Sequence, residues 1–173
     1  MALDATEYLT KERGIHPAVA EYAAWYTDGD RYVIPYFDAQ GRERARRFHS
    51  PGSKPKYQSE SGSQSHIYCV ENVRFEQVVV CEGEIDTLSA MSAGIKAIGL
   101  PGANVFHRAW VHLLDHVDDL VIAFDGDAAG KDAAARLKGI LPHARIEPLP
   151  DGMDLNDILQ AEGPEFLREG LEV

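Results

Sequence analysis

Val121-Ile122-Ala123-Phe124-Asp125-Gly126-Asp127-Ala128-Ala129-Gly130-Lys131 is the stretch on which the reading of this 173-residue chain turns. Four apolar residues run without a break into two acids separated by one glycine. A short continuous apolar run is the pattern of a strand buried on both faces, as in a parallel sheet. Alternate side chains of an extended backbone point the same way, so Asp125 and Asp127 can converge on one point. The alanine-rich stretch that follows reads as a helix. The two carboxylates then stand at the carboxyl end of a strand, where open α/β sheets place their ligands. Two hard oxygen donors there make a candidate Mg²⁺ site. Taken alone, the motif reads equally well as a solvated Asp-Gly turn.

On both sides of this stretch, from Phe75 onward, strands alternate with helices, the mark of βαβ units. Val78 to Cys81 reads as a buried strand ending at Glu82, and Gly83 as a turn. Glu84 to Ala93 reads as a helix with Ile85, Leu88 and Met91 on one side, stopped by Gly94. Lys96 to Leu100 is a second strand, Pro101-Gly102-Ala103 a turn, and residues 106–116 a helix carrying Trp110, Leu113 and Leu114. After the central strand and its helix, Arg145 to Leu149 is a fourth strand and Asp154 opens a closing helix.

Right-handed crossovers bring all carboxyl ends of parallel strands to one edge. Glu82 and Asp125 then stand on separate strand ends at that edge. Asp86 is one helical turn beyond Glu82 and can face the same place, while Asp154 arrives there after the fourth strand, with Asp157 close behind. Like charges crowded in this way raise one another's pKa unless a cation neutralises them. A divalent metal is the economical explanation.

The formal charge of −11 is unevenly spread. Residues 1–70 carry nine Lys/Arg and nine Asp/Glu, so the whole excess lies in residues 71–173. Within the neutral part, residues 31–57 hold seven basic and two acidic side chains. A basic patch beside an acidic half suits the handling of polyanions, although a soluble acidic protein with one solvated basic hairpin has the same composition. Residues 5–26 read as two short helices broken at Gly14 and at His16-Pro17. Arg31 to Phe37 reads as a strand, at a sheet edge because of Pro35. Arg42 to His49 returns as its partner, with Arg42, Arg44 and Arg46 on one face. Ser50 to His66 has loop composition, within which Lys54 and Pro55-Lys56-Tyr57 form a basic-aromatic unit of the kind that contacts phosphates and bases. Cys69 and Cys81 form no Cys-x-x-Cys pair, which argues against zinc and a disulfide framework and fits a reducing cytoplasm. No apolar run reaches membrane-span length.

Glu82-Gly83-Glu84-Ile85-Asp86, Asp125-Gly126-Asp127 and Asp154-Leu155-Asn156-Asp157, in this order, resemble the acidic motifs of the TOPRIM fold, shared by topoisomerases, bacterial and phage primases and some nucleases. The resemblance covers about residues 70–162. Before it, Tyr8-Leu9, Arg13-Gly14-Ile15, Val33-Ile34-Pro35, Gly41-Arg42 and Pro55-Lys56-Tyr57 resemble the basic subdomain that precedes TOPRIM in bacterial-type DNA primases. The resemblance implies an α/β fold: a TOPRIM-like parallel sheet flanked by helices (residues 71–173), preceded by a small mixed α+β basic subdomain (residues 1–70).

The activity so implied is metal-dependent synthesis of short RNA primers from ribonucleoside triphosphates on single-stranded DNA. Glu82, Asp125 and Asp127 would be the catalytic and central metal acids, with Glu82 the candidate general base. Asp86, Asp154 and Asp157 would complete a site for Mg²⁺ or Mn²⁺, two ions by two-metal logic. Arg42, Arg44, Arg46, Arg47, Lys54, Lys56 and Tyr57 would contact nucleotide and template, with Lys56 and Arg46 or Arg47 on phosphates. The chain departs from a complete replicative primase in lacking zinc-ribbon cysteines and a long helicase-binding region. It resembles a catalytic core of the kind a phage or plasmid encodes, working in a bacterial cytoplasm with a zinc-ribbon protein and a replicative helicase in trans. Alternative readings are a TOPRIM nuclease, using the same acids to cleave DNA or RNA, and a non-catalytic nucleic-acid-binding replication subunit.

Overall fold

The computed structural model describes residues 3–102 and 105–171; Ala103, the end of the turn expected at Pro101-Gly102-Ala103, lies outside them. Asp4 caps a first helical turn, α1 (Ala5–Glu7), which continues as a π-helical turn over Tyr8–Glu12. Gly14 leaves that turn with φ of +65°, a left-handed conformation that glycine adopts at little cost. Pro17 then opens α2 (Pro17–Ala23).

Four strands follow in an antiparallel sheet of order β1-β2-β3-β4: Tyr26–Asp28, Arg31–Phe37, Glu43–His49 and Tyr57–Ser59. Two expectations are corrected here. Strand β2 is an inner strand, not an edge; Pro35 is tolerated because β1 pairs only with Arg31 to Val33 and ends before reaching it. The Ser/Pro-rich loop also contains a strand, since Tyr57–Ser59 pairs with Arg47–His49.

A parallel sheet of order β6-β5-β7-β8 makes the second layer, from Ala97–Gly99, Gln77–Cys81, Asp119–Ala123 and Arg145–Ile146. Its central strands are apolar on both sides for a visible reason. Val79, Cys81, Val121 and Ala123 face one core cluster, while Val78, Val80, Leu120 and Ile122 face another. The first cluster also takes Leu9 and Ile15, Ile34 and Tyr36 of β2, and Leu155. Apolar contact thus presses the N-terminal part of the chain, with its basic hairpin, onto one face of the parallel sheet. Helices α3 (Glu84–Ser92), α6 (Leu155–Glu162) and α7 (Pro164–Gly170) pack on this same side. On the other face lie α5 (Ala128–Ile140) and a short α4 (Val111–Leu114) preceded by a 3₁₀ turn at Arg108–Trp110. The helix expected over 106–116 is therefore shorter, and Leu113 is exposed. The fourth strand likewise shrinks to two residues.

Candidate functional site

Register determines the site. Cys81 pairs with Ala123, so β5 and β7 end side by side and release Glu82 and Asp125 at one edge. Gly83 starts α3, placing Asp86 in its first turn, where its carboxylate accepts the Asn156 N–H at 3.2 Å. Asp154 caps α6, accepting the Asp157 N–H at 2.7 Å. Glu82, Asp86, Asp125 and Asp154 line one cleft of about 260 Å³ together with Arg13, Arg47, Lys56 and Tyr57.

The carboxylates feel one another. Burial, then the charges of Asp154, Asp125 and Glu82, hold Asp86 well above the usual carboxylate range. Burial, then Asp154, Asp127 and Asp157, push Asp125 up to about 6. Asp154 is also raised, first by burial. Asp127 and Asp157 stand outside the cleft lining and are exposed. Asp127 caps α5 by accepting the Gly130 N–H at 2.7 Å, and Asp157 closes the α6 capping box. The local reading of Asp125 and Asp127 as two strand side chains on one face is thus corrected, because the strand ends at Ala123 and Asp127 is already the helix cap.

Among the described residues, no three His, Cys, Asp or Glu side chains form a ready-made cage for a metal. The donor chemistry nonetheless fits a divalent cation: the donors are carboxylate oxygens whose mutual repulsion is relieved by positive charge. Glu82, Asp86, Asp125 and Asp154 would hold it.

An expected pH dependence follows for the metal-free chain. A carboxyl whose pKa rises from 3.8 to about 6 on folding contributes stability that is present at low pH and lost as pH rises through that window. The Asp125→Asn protein lacks this loss. Its melting temperature relative to the parent should therefore climb between pH 4 and about 6.5 and then level off. A difference that is flat across the range would show that Asp125 is not strained by its neighbours.

The cationic wall is less simple than sequence periodicity suggests. Strand pairing puts Arg47 opposite Ile34 on the core face, and Arg46 opposite Pro35 on the outer face. Arg44 shares the outer face, and Arg42 lies in the turn. Arg42 pairs with Asp38 at 2.9 Å and Arg46 with Glu43 at 2.5 Å. Lys54 is exposed and outside the cleft lining; Lys56 and Tyr57 line it. Lys131 pairs with Asp151 away from the cleft.

Sequence reasoning assigned no role to Arg13, Glu84, His49 or Asn156. Arg13 Nε donates to Tyr8 Oη at 2.7 Å, and Tyr8 Oη lies 2.8 Å from His49 Nε2. His49 is fully buried and pushed down to about 4 by burial, with Lys56, Arg13 and Arg47 adding to the effect, so it stays neutral; its ring packs at a tilt against Tyr57. Asn156 donates to the Arg13 carbonyl at 2.7 Å and to Ser89 Oγ at 2.9 Å, joining the N-terminal turn, α3 and α6. A basic residue just before a helix-ending glycine is the signal the sequence offers for Arg13.

Fold and site together define an α/β protein with an acidic parallel-sheet edge, walled by an antiparallel basic sheet. The sequence profile described as Toprim-like matches residues 79–159. The Gene 57 protein of Mycobacterium phage D29 is 34% identical over 118 residues, covering 67% of this chain and 78% of that protein. The chain belongs to the Toprim-like family. The DNA primase of Chlamydia trachomatis is 28% identical over 188 residues, covering 94% of this chain but 31% of its own length. The crystal structure of the Aquifex aeolicus primase zinc-binding and RNA polymerase domains superposes with a TM-score of 0.82 at 22% identity, covering 97% of this chain and 55% of that one. The fold is that of the catalytic core of bacterial and phage primases, and this chain spans about a third of the Chlamydia enzyme. Among the described residues no helix is long and apolar enough to cross a membrane.

Proposed function

We propose that this chain is a DNA primase catalytic core that joins ribonucleoside triphosphates into short RNA primers on single-stranded DNA. The observation that carries this reading is the single cleft in which Glu82, Asp86, Asp125 and Asp154 face Arg13, Arg47, Lys56 and Tyr57. An acidic wall suits divalent metal, and a basic-aromatic wall suits triphosphate and base; a nucleotide bound to metal needs both at once. The family and its relatives named as DNA primases support the same reading.

Two Mg²⁺ or Mn²⁺ ions, when bound, would activate the attacking 3′-hydroxyl and neutralise the leaving pyrophosphate. Glu82 and Asp125 act at the centre, with Asp127 contributing charge from the α5 cap, and Asp86, Asp154 and Asp157 complete the acidic set. Lys56 and Arg47 hold the triphosphate, and the Tyr57 ring borders it. Arg42, Arg44, Arg46 and Lys54, which lie outside the cleft, are assigned to the backbone of the template strand beyond it. A zinc-ribbon protein and a replicative helicase are the partners expected in trans, in a bacterial cytoplasm.

Incubation with single-stranded DNA, ribonucleotides and Mg²⁺ or Mn²⁺ tests the reading, and short RNA products are the expected result. Cleavage of the DNA without synthesis would instead establish the nuclease. Neither activity, with intact binding of single-stranded DNA, would establish the non-catalytic subunit. Lys56→Ala is expected to raise the KM for ribonucleotide about tenfold, the loss of one charge-assisted hydrogen bond, and to weaken template binding by less. Equal losses would remove Lys56 from the triphosphate.

A further inference from the structure

Glu84 sits between two acids of the same motif and borders the same cleft, yet its carboxylate is engaged by the antiparallel sheet. Its side chain is 2% exposed. One oxygen, Oε1, accepts both the Arg47 Nη1–H at 2.6 Å and the Tyr36 Oη–H at 2.5 Å. Both donors come from the antiparallel sheet, Tyr36 from β2 and Arg47 from β3, whereas Glu84 is the first residue of α3. The pair therefore spans the seam between the basic sheet and the acidic edge. Arg47 uses one of its five donors on Glu84, and its guanidinium, centred 5.3 Å from the Tyr57 ring centroid, borders the cleft.

A buried ion pair contributes little net stability, because desolvation offsets the attraction. What this pair does is fix a guanidinium in place. Without a carboxylate beneath it, Arg47 would follow its flexible stem toward water or collapse onto the neighbouring cleft acids.

We propose that Glu84 is a positioning residue rather than a metal ligand. Through Arg47 it holds an anion-binding donor on the wall facing Asp86, Asp125 and Asp154, and so sets the affinity of the cleft for the polyphosphate of a nucleotide. The inference rests on the proposed reading of the cleft as a triphosphate site.

Two binding measurements on the whole chain separate the roles: Mn²⁺ alone, by the paramagnetic signal of the free ion, and inorganic pyrophosphate with Mg²⁺, by calorimetry. Glu84→Gln should leave Mn²⁺ affinity within about twofold and raise the Kd for pyrophosphate about tenfold, the size of one buried charge-assisted hydrogen bond. Asp86→Asn and Asp125→Asn should weaken Mn²⁺ binding itself. Arg47→Lys keeps the charge but loses the planar fork, and should match Glu84→Gln. Should Glu84→Gln fail to fold, Tyr36→Phe removes one hydrogen bond to the same oxygen with both charges in place, and should raise the pyrophosphate Kd about threefold. Mn²⁺ loss in Glu84→Gln equal to that in Asp86→Asn, unchanged pyrophosphate affinity in a folded variant, or no pyrophosphate binding by the parent would each overturn the proposal. If the parent shows this split but makes no RNA, the primase reading falls while the positioning role stands. RNA synthesis without the split gives the reverse.

Discussion

Asp125→Asn is expected to lower primer synthesis by about a thousandfold or more, roughly 4 kcal/mol of transition-state stabilisation. Asp125 stands at the end of the central strand, between the Glu82 strand end and the Asp154 cap, and its carboxyl is raised by burial and by Asp154. In the proposed reading a cation in the cleft would draw on it. The amide is nearly isosteric, so the backbone around it has no reason to move, and it also removes like-charge repulsion. The variant should therefore melt no lower than the parent in the absence of metal at neutral pH, and gain less from added Mg²⁺. Primer synthesis on a single-stranded template, run beside thermal melting with and without metal, reads both effects. Synthesis at the parental rate would remove Asp125 from the site, and a collapse in melting temperature would reassign it to structure.

Gly126→Ala is expected to be the most damaging single methyl in the chain. A Cβ at this position would lie 1.9 Å from the Pro150 carbonyl oxygen and 3.1 Å from that of Leu149. Both obstacles are backbone and cannot rotate away. Gly126 N–H donates to the Met153 carbonyl at 2.8 Å, and the Gly152 N–H returns to the Gly126 carbonyl at 3.3 Å. Glycine at 126 is thus what lets the segment carrying Asp125 lie against the segment that delivers Asp154. Forcing them apart should cost about 3 kcal/mol or more, the upper range for overpacking. For a domain of this size that is a fall in melting temperature of roughly 10 °C. Synthesis should fall even in the fraction that stays folded, because the two acids no longer face one cleft. Gly139→Ala, in α5 with nothing within 4 Å of its added methyl, should go the other way and stabilise by about 0.5–1 kcal/mol. Chemical denaturation of the two variants side by side checks the contrast, and equal behaviour would refute the close-approach argument.

The interior strands were legible because two-sided burial leaves an unbroken apolar run, as in Val78-Val79-Val80-Cys81 and Leu120-Val121-Ile122-Ala123. Strand ends followed from those runs, and with them the gathering of Glu82, Asp86, Asp125 and Asp154 at one edge. Asp127 was misread locally because an Asp followed by alanines is equally the start of a helix, and capping claimed its carboxylate. Tyr57–Ser59 escaped notice because a three-residue strand inside a Ser/Pro-rich segment owes its form to pairing with β3, not to its own composition.

Composition and period were sufficient by themselves for the α/β layering and the parallel sheet, since each is written in neighbouring residues, and the acidic motifs carried the resemblance to the family. Tertiary structure alone decided which of two adjacent arginines enters the cleft, that the Glu84 carboxylate pairs with Arg47, and that Arg13 lines the cleft at all. The physical reason is separation along the chain. Arg47 meets Glu84 across 37 residues and Arg13 meets Asn156 across 143, so strand register and apolar docking, neither of which is visible in a local window, choose those partners. The Asp125-Gly126-Asp127 stretch shows both sides: the apolar run before it placed Asp125 beside Glu82 at one sheet edge, while the need for its glycine lies in the Pro150 backbone packed against it.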